Sequence, residues 1–119
     1  MKYKIIKADI FKFNVSNKTN WLFTRLQNNS GLYGWGEATL QGKEFEILKK
    51  KNDILQIILN SKFNSPFDIK PKLPFNNILE ASISSSIMQC LWDIEGKLKE
   101  KSISSIFADF ANLLILSSL

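Results

Sequence analysis

The sequence predicts an α+β fold, a three-stranded antiparallel meander followed by a helical bundle. Three observations carry that expectation: period-two apolar alternation in the first third, an asparagine and glycine turn between two strand segments, and a switch to helical period after Gly42. A length of 119 residues with 45% hydrophobic composition suits one domain around one core.

From Tyr3 to Phe13, Ile6, Ala8 and Ile10 alternate with Lys7, Asp9 and Phe11, the pattern of a half-buried strand. Residues 14–20 are polar apart from Val15 and read as an exposed excursion. A second strand over residues 21–27 puts Leu22, Thr24 and Leu26 on one face and Trp21, Phe23 and Arg25 on the other. Asn28-Asn29-Ser30-Gly31 is a hairpin turn, because asparagine and glycine accept the positive φ that tight turns need. The third strand has Gly34 and Gly36 on one pleat face, where a missing side chain admits another backbone or a ligand. Tyr33, Trp35 and Glu37 share the opposite face.

After Gly42, Phe45, Leu48, Ile54, Leu55, Ile58 and Leu59 form a helical stripe, with Glu46 and Lys50 spaced for an ion pair. Residues 60–75 hold all three prolines and predict an irregular connection with at most one short helical turn. Asn77 followed by Glu80 marks a helix start, and Leu79, Ile83, Ile87, Leu91, Ile94 and Leu98 give its buried stripe. Ser82, Ser85, Ser86 and Gly96 would let a neighbour pack closely, and Asp93 and Lys97 form an in-helix pair. Ile103, Ile106, Phe107 and Phe110 suggest a further short amphipathic turn.

Composition narrows the chemistry. There is no histidine and one cysteine, Cys90, so the usual zinc sites and catalytic triads lack a member and no internal disulfide can form. The net charge of +5 is almost all dispersed lysine, with Arg25 the only arginine, which argues for a solvated surface over a nucleic-acid stripe. The amino terminus has no secretory apolar run, and Leu113 to Leu116 is too short to cross a membrane, so a cytoplasmic location is expected.

Three segments together resemble the N-terminal capping domain of the mandelate racemase and muconate lactonizing enzyme family, in the enolase superfamily. They are Asn20-Trp21-Leu22-Phe23, Gly31 to Gly42, and Leu91-Trp92-Asp93-Ile94-Glu95-Gly96-Lys97. Within it, Trp35-Gly36-Glu37-Ala38-Thr39-Leu40 is similar to acid-sugar dehydratases of the galactonate dehydratase kind. The resemblance implies an enolase N-terminal-like domain over residues 1–110 and, over 111–119, a truncated or diverged start of a missing β/α barrel. In that reading Leu113 to Leu116 is a first barrel strand or unrelated sequence. It further implies that the catalytic barrel is absent from this chain, that Mg²⁺ belongs to the barrel, and that the chain alone carries no catalytic or metal-binding residue. A barrel of that kind takes about 200 residues.

The resemblance places two substrate-capping loops at residues 14–21 and 39–43, where Lys18, Asn20, Trp21, Thr39 and Gln41 would meet a sugar acid. The competing reading makes Trp21 strand core and the polar residues solvated loop. Glu37, beside a glycine-rich edge, has the chemistry of a catalytic acid, but the family's acid chemistry is not placed there and a structural hydrogen bond to the loop or helix is expected instead. The implied partners are a barrel domain or chain and, through it, a sugar-acid substrate; self-association is also open. An alternative from another class is a small β-sheet module stacking single-stranded nucleic acid on Trp21, Phe23, Tyr33 and Trp35, which the shortage of arginine and the helical second half weigh against.

Overall fold

The computed structural model describes the backbone of residues 3–17 and 19–117 and the side chains of residues 4–17 and 19–100. Strands β1 (Tyr3–Ser16), β2 (Thr19–Asn28), β3 (Tyr33–Glu37) and β4 (Lys62–Phe63) form one antiparallel sheet in the order β3-β2-β1-β4. Helices α1 (Glu44–Ile58) and α2 (Ile78–Ser117) complete an α+β fold, with two single 3₁₀ turns at Pro66–Asp68 and Lys70–Lys72. The expected three-strand meander is present. The fourth strand is two residues pairing with Tyr3 and Lys4, too short to show a period in sequence.

The polar stretch read as an excursion is instead the end of a hairpin. Pairing continues to Ser16↔Thr19, past a register shift between Asn14 and Ser16, and Asn14 Nδ2 donates to Asn20 Oδ1 at 3.0 Å. Those residues are polar because this end of the ribbon is in water. The β2–β3 turn forms as expected: Asn28 Oδ1 accepts the N–H groups of Ser30 and Leu32, and Gly31 takes φ 85°. Near the start of β1, a second register shift between Ile5 and Lys7 turns Ile5 into the core and leaves Ile6 exposed, reversing the expected role of Ile6.

Helix α1 buries Ile47, Ile54, Leu55 and Ile58. Phe45, expected on that stripe, is 74% exposed, because two residues from Ile47 it lies about 200° around the helix. Lys50 pairs with Asp53 at 3.7 Å, not with Glu46. The connection that follows is more ordered than its prolines suggest. Ser65 caps the first 3₁₀ turn by accepting from the Phe67 N–H, Asp68 accepts from the Ser65 N–H, and Phe63, Ile69 and Leu73 reach the core.

Helix α2 starts as expected, with Asn77 Oδ1 accepting the Glu80 N–H at 2.8 Å. Ile83, Ile87, Leu91 and Ile94 are fully buried beneath Ile10, Leu22 and Leu26 of the sheet. The separate terminal turn and the possible strand at 113–116 are not found: the backbone is one 40-residue helix to Ser117. No proline follows Pro74 to stop it, and Gly96 sits inside it on an exposed side with no atom near its missing Cβ, so it is not a close-packing position.

Helix α2 and strand β3 match in pitch. Four helical residues advance about 6 Å and two strand residues about 6.8 Å, so contacts can repeat along both. A Cβ on Gly34 would come within 3.0 Å of the Cys90 carbonyl oxygen, and one on Gly36 within 3.0 Å of the Ser86 carbonyl oxygen. The same step recurs in hydrogen bonds from the next stripe of α2. Gln89 Oε1 accepts the Glu37 N–H at 2.8 Å, Asp93 Oδ2 accepts the Trp35 N–H at 2.9 Å, and Lys97 Nζ donates to the Tyr33 carbonyl at 2.5 Å.

Candidate functional site

The hairpin end and the β3–α1 connection meet. Ala38 extends the β2–β3 pairing by donating its N–H to the Leu22 carbonyl at 2.9 Å, and Thr39 Oγ1 accepts the Leu22 N–H at 3.0 Å. A turn through Gly42, with Lys43 N–H bonded to the Leu40 carbonyl at 2.9 Å, then starts α1 at Glu44. Between these pieces lies a hollow of about 190 Å³ lined by Thr19, Asn20, Trp21, Thr39, Gln41 and Glu44.

Four of the five residues expected to cap a substrate therefore line one hollow, although they are far apart in sequence. Lys18 lies outside the described residues. Trp21 is not strand core: it is 44% exposed and meets Phe23 edge to face at 6.1 Å. Thr39 spends its hydroxyl on the Leu22 backbone, and the Asn20 carbonyl oxygen is taken by Asn14. The Asn20 amide nitrogen and Gln41 provide the neutral polar surface beside the indole. Sequence reading missed Thr19 and Glu44. Glu44 stands one residue past the turn, in the first turn of α1, and continuing the loop into the helix would have found it.

Glu37 is exposed and its backbone N–H, not its carboxylate, bonds α2 through Gln89. Asp9 and Cys90 have displaced titrations, and neither lines the hollow. Burial pushes the Asp9 carboxyl upward, but the Lys51 ammonium at 2.6 Å, the Ile10 N–H and Arg25 outweigh it and hold the carboxyl below its ordinary range. Burial, helped by the negative charge of Asp93, raises the Cys90 thiol to about 12. Its Sγ donates to the Thr24 carbonyl at 3.3 Å, so it is a structural thiol and not a nucleophile.

Among the described residues no three histidine, cysteine, aspartate or glutamate side chains gather into a metal site. Asp9 is committed to Lys51, and Asp93 to Trp35 and Lys97, so these carboxylates do not fit Mg²⁺. No described helix is long and apolar enough to cross a membrane. A larger open groove of about 930 Å³ lies beside α2, where Trp92 and Phe67 meet edge to face at 5.0 Å and Trp35, Phe75 and Met88 add apolar walls. Phe67 and Phe75 were hidden in the proline-rich connection.

No protein-family model matches the sequence. Among solved structures, the chain is similar to an enolase from Agrobacterium radiobacter, provisionally named a galactarate dehydratase and crystallised with sodium and L-malate. The TM-score is 0.64 at 21% identity, over 81% of this chain and 25% of that one. In fold, the chain is like an enolase N-terminal domain. It spans a quarter of that neighbour's length, and its described residues contain no barrel.

Proposed function

We propose that this chain is the substrate-capping domain of an acid-sugar dehydratase or racemase of the mandelate racemase and muconate lactonizing type. The observation that carries the reading is the convergence of Asn20, Trp21, Thr39 and Gln41 on one hollow at the sheet end. A complete small-molecule site usually encloses about 300–1,000 Å³, so a hollow of 190 Å³ is one wall, to be completed by a facing surface. The enolase-like fold over a quarter of the neighbour's length is in keeping with such an arrangement.

In this reading Mg²⁺ and the proton abstraction α to the carboxylate belong to a barrel outside these residues, and no step is assigned to this chain through the metal. The chain's own residues exclude water and position the distal end of the substrate. The Trp21 ring covers a carbon face, the Asn20 and Gln41 amides exchange hydrogen bonds with hydroxyls, and Thr39 holds the loop to β2. The groove beside α2 offers the barrel a docking surface.

The test is a chimera in which this chain replaces the N-terminal domain of the Agrobacterium enzyme, assayed on a panel of sugar acids with Mg²⁺. Turnover is expected, with Gln41→Ala and Trp21→Ala raising KM several-fold on the preferred acid. A folded, active chimera whose acid preference ignores both substitutions overturns the reading, as does turnover by the isolated chain. A second reading, single-stranded nucleic-acid binding, is favoured by the placement of Trp21, Phe23, Tyr33 and Trp35 on one open sheet face.

A further inference from the structure

The outer face of the sheet carries cross-strand rows that the rest of the described chain covers only at the margins, where Lys51 reaches Asp9 and the groove beside α2 borders Trp35. They run Phe13 with Trp21, then Phe11, Phe23 and Glu37, then Asp9, Arg25 and Trp35. Phe13, Trp21, Tyr33 and Trp35 remain 38–48% exposed. Arg25 lies over the rings of Phe11, Tyr33 and Trp35 at 4.8, 5.0 and 5.6 Å from their centres, so its charge is held in place.

We propose that this face is a two-fold contact between two copies of the chain. Two routes of sheet association compete, edge to edge and face to face. At the β3 edge Gln89, Asp93 and Lys97 already satisfy the backbone groups of Glu37, Trp35 and Tyr33, and at the opposite edge β4 pairs with Tyr3 and Lys4 and Lys51 takes the Ile10 carbonyl, which leaves only the polar hairpin end of β1 open to edge pairing. The face is open. Three strands about 4.8 Å apart and the three rows that cross all of them, Phe11–Phe23–Glu37, Asp9–Arg25–Trp35 and Lys7–Gln27–Tyr33, about 6.8 Å apart, give a platform of roughly 15 × 20 Å. That is smaller than the about 800 Å² a partner contributes to a standard interface, so the contact is a weak one that forms at micromolar concentrations and above.

The charges are self-complementary. Arg25 and Glu37 are diagonal neighbours on the same face, one row apart across β2 and β3. A two-fold axis lying in the contact plane between them sets each Arg25 against the partner copy's Glu37, twice over. Phe23 and Trp35, which flank the axis, then meet their own counterparts, and the Phe13 and Trp21 end lies outside the contact.

Light scattering and sedimentation equilibrium of the whole chain from 1 to 100 µM test this. The expected result is a concentration-dependent mass of twice 13.7 kDa. Arg25→Glu and Glu37→Arg should each weaken the dimer about tenfold, and the two together should restore it, with circular dichroism checking that each variant is folded. A wild-type chain that stays monomeric at 100 µM overturns the proposal, whatever the variants do. So does a double variant no better than the singles, or a dimer unaffected by Trp35→Glu. Quenching of a monomeric chain's tryptophans by an oligothymidylate, with steep salt dependence, also overturns it and assigns the face to nucleic acid.

Discussion

The two faces of one sheet are built on opposite rules. The inner face is fitted atom to atom: Gly34 and Gly36 receive the backbone of α2, and Thr24 Oγ1 meets Ser86 Oγ at 2.7 Å in a fully buried pair. The outer face is assembled from rings in ordinary edge-to-face contact, with Phe13 and Phe23 at 5.5 Å and one arginine laid across three others. Removing an atom or adding one inside disturbs partners that cannot move. Outside, the neighbours are side chains and solvent, and they adjust. The inner face therefore specifies the fold, and the outer face is free to serve recognition.

The largest expected effect comes from filling the inner notch. Gly34→Ala would gain less than about 1 kcal/mol from a stiffer unfolded chain but would force a methyl into the Cys90 carbonyl, a backbone atom. The clash wins, with a loss of about 3 kcal/mol in urea unfolding. A midpoint unchanged from wild type would break the contrast between the faces.

Next is Thr24→Val. It removes one hydroxyl of the buried pair while Ser86 Oγ keeps its bond to the Ile83 carbonyl at 2.6 Å, so a loss of about 1–2 kcal/mol is expected, measured the same way. On the outer face, Trp21→Ser should cost under about 1 kcal/mol at concentrations where the chain is monomeric, since the ring is half in water. A loss as large as that of Gly34→Ala would show that the outer rings are structural.

The smallest effect is the acid dependence of the Asp9–Lys51 pair. The folded carboxyl titrates below its ordinary 3.8, so the contribution is complete above that value and fades as pH falls through the lower folded value. Asp9 is 47% exposed, so screening keeps the effect modest. Lys51→Met should flatten that acid limb in thermal melts between about pH 5 and 2 while leaving the curve above it unchanged in shape.

Period and composition gave much of this away. The faces of β2 and β3, the Asn28 turn, the Asn77 start of α2 and its Ile83 to Ile94 stripe all follow from local chemistry that the tertiary fold then respects. The errors have physical causes. The Asn14 to Asn20 stretch is polar because a hairpin end stands in water, and polarity alone does not separate an exposed strand from a loop. Hydrophobicity alone points Phe45 inward, whereas the phase of α1 is set by Ile47. Of the candidate site, the two flanking segments were legible as motif, but the meeting of Asn20 with Gln41 depends on sheet pairing, and Glu44 is visible only when helix and loop are taken together.

The pitch match between α2 and β3 works like a toothed rack. Two notches and three polar rungs engage at once, so the helix cannot creep along the strands by one residue without raising itself out of every tooth. A push on the distant end of the 40-residue α2 is thus delivered to the sheet as leverage.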